Sequence, residues 1–368
     1  MVEKGKELKY SKLMQELKEQ ILSGKIKAGQ KLPSENVLSA QYQISRQTVR
    51  KALSLLENAG YIYAEHGRGT FCSELVRHTK KSKNIAVVTT YLSDYIFPRV
   101  IGGIDSVLTS EGYSIMLKNT RNSRSLEARC LEELLQKDID GMIIEPSKSQ
   151  IYCNHLGLYK KLEEYQIPYV FIQGYYPQMM ERPQVLMDDR KGGYMITKYL
   201  LEMGHKDIIG VFKADDTQGV NRHKGYVEAL QEFGILYNPD KVIWFYTEDR
   251  SMHPYESIRK MRNESVQMDA VVCYNDQIAR EVIRALCDCG TKVPEEVSVT
   301  GYDNSNLSYS DGIRLTTIAH PQEKLGEIAA KLLVDIIQNG TKDGRNSILI
   351  EPEIVIGNSC RRRENLDN

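Results

Sequence analysis

Residues 34–53, SENVLSAQYQISRQTVRKAL, constrain the fold of this chain more than any other stretch, because they spell two short helices joined by a tight turn. Ser34 follows Pro33 and is a favourable N-cap, and Glu35 adds negative charge to the first turn. Val37, Leu38 and Tyr42 recur at helical spacing on one face. Gln43-Ile44 makes the turn. Ser45 can cap a second helix, from which Val49, Leu53 and Leu56 face inward. Arg46, Gln47, Thr48 and Arg50 are left outward near its N-terminal end, where a recognition helix carries the side chains that reach base edges. A helical hairpin with a basic, solvated face has the same local pattern, so the neighbours decide. Leu8, Leu13, Leu17 and Ile21 mark an amphipathic helix upstream. Residues 61–64 and 69–72 read as two small strands around the turn Glu65-His66-Gly67-Arg68. Three helices followed by a β-wing make a winged helix-turn-helix.

Residues 8–72 resemble the DNA-binding domain of GntR-type bacterial regulators. The matching pieces are Leu32-Pro33-Ser34-Glu35, then 45–53 (SRQTVRKAL), then Gly67-Arg68-Gly69-Thr70-Phe71. The resemblance implies that Arg46, Thr48 and Arg50 contact operator DNA, with Gln47 beside them on the outer face; Arg46 and Arg50 are expected to read bases. Lys9, Glu35 and the wing residues His66, Gly67, Arg68 and Gly69 would set register on the adjacent backbone or groove.

A chain of 368 residues is too long for one ordinary domain and suits two or three. Its formal net charge is zero but unevenly spread: fourteen Lys/Arg face eight Asp/Glu through residue 80, so the remainder is acidic. A basic head on an acidic body offers one end to phosphates. No apolar run precedes Leu8, so no secretory signal is expected, and nowhere do eighteen apolar residues run together, so no membrane span is expected. Seven Cys without a disulfide-like framework read as reduced thiols of a cytoplasmic protein. Metal-ligand spacings are missing, so neither a metal nor a cofactor is expected.

Residues 73–83 (SELVRHTKKSK) are polar and basic and read as a linker between a head over 1–72 and a body over 84–368. From residue 84 strands and helices alternate. Strand-like runs fall at 84–91, 114–117, 140–145, 169–173, 207–212, 242–245, 270–274 and 297–301. Helical patterns fall at 97–111, 124–136, 191–203, 220–233, 255–261 and 277–287. Continuous Val/Ile runs between helices imply parallel strands covered on both faces, and a change near 174–190 implies two doubly wound α/β subdomains. Ligands of such sheets bind at the carboxyl ends of the strands, here in the cleft between the two, with closure about a hinge as the expected response.

Residues 84–356 resemble the LacI/GalR effector domain and the periplasmic sugar-binding proteins. The carrying motifs are Gly112-Tyr113, Asp140-Gly141, Gly204-His205, Arg222-His223-Lys224-Gly225-Tyr226, Tyr274-Asn275-Asp276, Val293-Pro294, 297–303 (VSVTGYD) and Leu315-Thr316-Thr317-Ile318. A GntR-like head on such a body resembles the L-arabinose-responsive repressors. That implies repression of arabinose-utilisation genes, relieved by L-arabinose; a homodimer on double-stranded, palindromic operator DNA is the expected form.

A neutral sugar needs fixed polar partners for its hydroxyls and apolar or aromatic cover for its C–H face. The strand ends supply both: Tyr91, Asp94, Tyr95, Glu145, Gln173, Lys213, Asp215, Gln218, Arg222, Asn275, Asp276, Asp303 and His320. Arg222 and Asn275 match family positions that hold ligand. Lys213 and Glu145 could pair across the cleft, each holding the other's charge. Plain alternatives stay open: Asp276 as a helix cap, Asp94 and Asp303 as turn residues, Tyr95 and Phe97 as core, Gln218 outside the cleft. No Gly-x-Ser-x-Gly, P-loop or metal-ligand motif appears, so no catalytic residue is assigned. The rival is the same architecture with another neutral sugar, a phosphosugar or a nucleobase. A more remote one is a cytoplasmic sugar-binding protein or enzyme. A phosphosugar calls for converging cations, and only Lys213 and Arg222 are obvious.

Overall fold

The computed structural model describes residues 9–22, 24–58, 60–73, 82–92, 95–310, 312–340 and 347–363. Two compact units divide the chain: one holds residues 1–84 with 132–140 and 157–167, the other 85–131, 141–156 and 168–368. Most of the stretch expected as a linker, and Asp94, lie outside the described residues.

In the first unit, α1 (Lys9–Leu22), α2 (Glu35–Tyr42) and α3 (Arg46–Asn58) precede the antiparallel hairpin of β1 (Ile62–Glu65) and β2 (Gly69–Cys72). Leu13, Leu17 and Ile21 of α1 meet Leu38 of α2, Val49, Leu53 and Leu56 of α3, and Ile62 and Cys72 of the hairpin in one apolar cluster. Ser34 caps α2, and Gln43 ends it in the left-handed region at φ 51°. Of Val37, Leu38 and Tyr42, expected on one face, Leu38 is buried and Tyr42 half-buried, whereas Val37 is 52% exposed.

The second unit carries two parallel sheets. Its first lobe contains β3 (Asn84–Thr89), α4 (Phe97–Ser110), β4 (Ser114–Asn119), most of α5 (Arg124–Leu135), β5 (Gly141–Ile144), β6 (Tyr169–Ile172) and β7 (Gln184–Met187), whereas the end of α5 and nearly all of α6 (Leu156–Glu164) belong to the first unit. The chain then passes to a second lobe built from α7 (Asp189–Glu202), β8 (Ile208–Lys213), α8 (Thr217–Glu232), β9 (Val242–Phe245), α9 (His253–Asn263), β10 (Ala270–Cys273), α10 (Asp276–Asp288) and β11 (Ser298–Thr300). Short pairs follow: β12 (Tyr309–Ser310) with β13 (Ile313–Arg314), and β14 (Thr317–Ala319) with β16 (Glu353–Val355). Between them α11 (Gln322–Asn339) and β15 (Ser347–Ile350) return to the first lobe. The six-stranded sheet runs β15-β7-β6-β5-β3-β4 and the four-stranded sheet β11-β10-β8-β9.

The central strand runs are apolar throughout because both faces are covered: Gly141–Ile144, Tyr169–Ile172 and Ala270–Cys273 are buried at every position. Each lobe also has one very close helix crossing at glycine. In the first, a Cβ on Gly103 of α4 would lie 2.1 Å from the Glu323 carbonyl oxygen, and one on Gly326 of α11 would lie 2.2 Å from that of Val100. In the second, a Cβ on Gly193 of α7 would lie 2.2 Å from the Arg222 carbonyl oxygen, and one on Gly225 of α8 would lie 2.0 Å from that of Arg190.

Helices start earlier than apolar periodicity alone suggests, because their caps are polar. Asp188 accepts from Lys191 N and opens α7 at Asp189, and Asp216 accepts from Gly219 N and opens α8 at Thr217.

Candidate functional site

On the head, α3 presents Arg46, Gln47 and Arg50 to solvent, with Thr48 half-buried, while Val49, Ala52, Leu53 and Leu56 anchor the helix beneath. Ser45 Oγ accepts from Thr48 N at 3.1 Å and stands 2.8 Å from the Thr48 hydroxyl, which fixes the first turn. Arg50 Nε donates to both carboxylate oxygens of Glu35, at 3.0 and 2.9 Å. Glu35 therefore orients Arg50 from the preceding helix. Lys9 is exposed at the first residue of α1. His66, Gly67, Arg68 and Gly69 are exposed at the wing, with φ 76° at Gly67 and 120° at Gly69. A Cβ at Gly69 would approach Lys31 Cε to 2.6 Å, so this turn needs glycine for space as well as for φ.

In the second unit, the carboxyl ends of the two parallel sheets face a shared cleft. Its first-lobe wall holds Thr90, Tyr91, Tyr95, Ile96, Phe97, Asn122, Glu145, Pro146, Ser149, Gln173 and Gly174. The second-lobe wall holds Lys213, Asp216, Gln218, Arg222, Phe245, Arg250, Tyr274, Asn275, Gln277, Ile278 and Asp303. Of the residues expected from strand ends, Tyr91, Tyr95, Glu145, Gln173, Lys213, Gln218, Arg222, Asn275 and Asp303 are thus brought together.

Three others sit behind the wall. Asp215 is fully buried and accepts from Thr247 N at 3.2 Å and its hydroxyl at 2.8 Å, with Lys148 Nζ at 3.6 Å. Its neighbour Asp216 takes the lining position. Asp276 is also fully buried; its oxygens accept from Ser305 N at 2.7 Å, the Ser305 hydroxyl at 3.0 Å and the Thr317 hydroxyl at 2.7 Å. It does not cap α10, because Asn275 does so by accepting from Ile278 N at 3.0 Å. His320 lies behind Gln173, with Nε2 at 3.1 Å from its Oε1.

The two buried cations of the cleft, Lys213 and Arg222, are already matched. Lys213 Nζ lies 3.0 Å from Asp216 and 3.6 Å from Asp215, so its partners come from its own turn rather than from Glu145 across the cleft. Burial works against the charged Lys213, but Asp216 and Asp215 outweigh it and raise its pKa. Arg222 Nε donates to Asp189 at 2.8 Å, Nη1 donates to the Tyr274 carbonyl at 2.6 Å, and Nη2 lies 3.6 Å from Asp303. Its guanidinium stands 3.5 Å from the Tyr302 ring centroid and 4.8 Å from that of Tyr274. Arg250 Nη1 donates to the Tyr91 hydroxyl at 2.6 Å. Glu145 Oε2 accepts from Thr90 N at 2.8 Å and from its hydroxyl at 2.7 Å. Burial pushes the Glu145 carboxyl up to about 7, against the pull of the Thr90 bonds and Lys213.

Hydrogen bonds cross the cleft at several points. The Tyr95 hydroxyl donates to Asp303 at 2.7 Å, Gln218 Nε2 to Gln173 Oε1 at 3.2 Å, and Asn122 Nδ2 to the Thr247 hydroxyl at 2.7 Å. Lys148 donates to Glu248. Thr247 and Glu248, on the loop after β9, supply two of these crossings.

Comparison with known proteins identifies both parts of the chain. Residues 9–72 match the model for bacterial regulatory proteins of the gntR family, and residues 197–360 match that for a periplasmic binding protein-like domain. An arabinose metabolism transcriptional repressor of Halalkalibacterium halodurans is 42% identical over 364 residues, covering 96% of this chain and 96% of the relative. One from Geobacillus stearothermophilus is 36% identical over 356 residues, covering 96% and 98%. The chain belongs to this family of transcriptional repressors. The repressor's fold is also that of a solved complex of the transcriptional regulator CelR with cellobiose, at a TM-score of 0.68 and 22% identity, covering 89% of this chain and 100% of that one.

The repressor is a regulator rather than an enzyme, and the buried carboxylates of its cleft serve as hydrogen-bond acceptors. Among the described residues no helix is long and apolar enough to cross a membrane. Sequence reasoning missed Asp216, Arg250, Tyr274, Asn122 and Thr90 as lining residues. Asp216 carried a signal, since an Asp three residues before Gly219 at a helix start is an N-cap pattern. Arg250 carried none, because it sits on an irregular loop after β9.

Proposed function

We propose that the cleft of the second unit binds a neutral sugar, L-arabinose, and that this binding releases the winged head from operator DNA. The observation that carries the reading is the pairing of the cleft's buried cations. Lys213 is matched by Asp216 and Asp215, and Arg222 by Asp189 and Asp303. A phosphosugar would have to strip a buried cation of its partner, at the several-kcal/mol cost typical of broken buried pairs. A polyhydroxylated neutral ligand asks for neutral donors and acceptors, and those remain. Glu145 Oε1 and Gln173 Nε2 have no partner among the described residues, and Asn275 spends only Oδ1 on its cap. Tyr91, Phe97 and Tyr274 offer aromatic cover for the C–H face. Arabinose is favoured over other neutral sugars because the two relatives compared above are named for arabinose metabolism.

The ligand set of this reading is Tyr91, Tyr95, Glu145, Gln173, Lys213, Asp216, Gln218, Arg222, Arg250, Asn275 and Asp303. A ligand that hydrogen-bonds both lobes favours whichever arrangement brings them together, and it shifts the head only by its differential affinity for the two states. Coupling of about 1–3 kcal/mol is typical for such regulators. The head, over residues 1–72, would act in a cytoplasmic homodimer on a palindromic operator, joined by residues 73–83 to a sugar-binding body over 84–368. Arg46 and Arg50 would read bases, Gln47 and Thr48 would support them, Glu35 would set register by orienting Arg50, and Lys9 and the wing from His66 to Gly69 would meet the backbone.

Fluorescence anisotropy of labelled operator DNA at fixed salt, with L-arabinose, D-xylose, D-galactose and D-ribose in parallel, tests the reading. Release by arabinose alone is the expected result. Release by a sugar phosphate and by no neutral sugar would overturn it.

A further inference from the structure

The side-chain amide of Gln173 turns its oxygen to two neighbours and leaves its nitrogen free of both. Its Oε1 accepts from Gln218 Nε2 at 3.2 Å and lies 3.1 Å from His320 Nε2. Its Nε2 is buried, has no partner among the described residues, and belongs to a side chain that lines the cleft. The Gln173 backbone sits in the left-handed region at φ 66°, a conformation that a non-glycine residue keeps when its surroundings over-determine it. His320 is 5% exposed and does not line the cleft. Burial first, and then Arg222, push its imidazole down to about 4 against the pull of Asp303, so at neutral pH the ring has one N–H to give. With that proton on Nε2, Oε1 of Gln173 takes two donors. With the Gln218 amide and that ring proton as donors, reversing the Gln173 amide would set its N–H₂ group against both and would turn a carbonyl oxygen toward the cleft.

We infer that His320 is a positioning residue for ligand recognition: it fixes Gln173 with the amide N–H₂ toward the cleft, so that this wall takes an acceptor oxygen of the sugar. The inference rests on the neutral-sugar reading of the cleft. It assigns His320 no contact of its own with ligand; every effect passes through Gln173.

A double-mutant cycle on the full-length protein tests this, with L-arabinose affinity read by calorimetry and melting temperature followed in parallel. His320→Phe keeps a ring but gives no N–H, and should weaken arabinose binding about tenfold, roughly 1.4 kcal/mol. In a Gln173→Ala background the same change should cost less than twofold. His320→Gln, which retains a donor, should stay within about threefold of wild type and keeps the test open if the Phe variant fails to fold. Equal losses for His320→Phe with and without Gln173, or equal losses for His320→Gln and His320→Phe, would overturn the inference. Wild-type protein that binds none of the neutral sugars would instead overturn the parent reading of the cleft.

Discussion

Arg222 Nε meets Asp189 Oδ1 at 2.8 Å because the helices that carry them, α8 and α7, cross at Gly225 and Gly193. At a separation where a single Cβ would collide with the opposite backbone, Asp189 at the start of α7 falls beside Arg222 in the second turn of α8. Both are nearly sealed from water. Burial pushes Asp189 up to about 6 against the pull of the guanidinium, which still leaves it ionised at neutral pH. The pair in turn holds Asp303, Tyr302 and the Tyr274 carbonyl around one guanidinium. Helix packing, charge and the cleft wall are thereby one arrangement.

Gly225→Ala should therefore lower both stability and sugar affinity. The added methyl would sit 2.0 Å from the Arg190 carbonyl oxygen and 2.4 Å from Tyr194 N, both backbone atoms that cannot swing aside. Overpacking of this kind costs typically 1–3 kcal/mol, occasionally more. Thermal unfolding and arabinose titration read the two effects. An unchanged melting temperature would mean that the helices are free to separate.

Arg222→Ala should abolish the sugar response at a heavy structural cost, about 3–5 kcal/mol, because Asp189 and Asp303 would be left buried without their cation. Adding Asp189→Asn should recover part of the lost stability without restoring the response. Denaturant titration of the single and double variants checks the sign of that coupling; a second substitution that only adds to the damage would show that the two side chains do not act as a pair.

The head was legible from sequence because its determinants are local: a cap at Ser34, a left-handed turn at Gln43, and apolar spacing along α3. The strand ends were legible because doubly wound sheets place them at one edge. What the sequence hides is which of two adjacent polar residues faces the cleft. Asp215 and Asp216, or Asn275 and Asp276, differ only by the turn geometry after β8 and β10, which the tertiary contacts of Thr247 and Ser305 select. The return of α11 and β15 to the first sheet was equally hidden, since a hydrophobic pattern records that a face is covered and not by which element.

Glu145 makes a pH prediction with a definite sign. Its folded pKa, about 7, stands above the ordinary 4.5, so the folded state binds more protons than the unfolded chain between those values. Its contribution to stability is complete below about 4.5 and is lost as pH rises through 7. Glu145→Gln removes that titration. The difference in melting temperature between wild type and variant should shift in favour of the variant from pH 5 to pH 8, then level off. A difference independent of pH would mean that Glu145 stays charged throughout.

Arg46 and Arg50 differ in one respect that mutation can expose. Arg50 is held by both oxygens of Glu35, whereas Arg46 makes no ion pair among the described residues. Arg46→Ala should abolish discrimination between operator and unrelated DNA while arabinose affinity is unchanged. Glu35→Ala should leave the fold intact, since Arg50 is exposed and Glu35 only half-buried, yet loosen Arg50 so that specificity falls more than total DNA affinity. The salt dependence of anisotropy on specific and nonspecific DNA separates the two, because a lost phosphate contact lowers the slope on every sequence and a lost base contact does not. Full specificity in Arg46→Ala would remove α3 from its place as the reading helix.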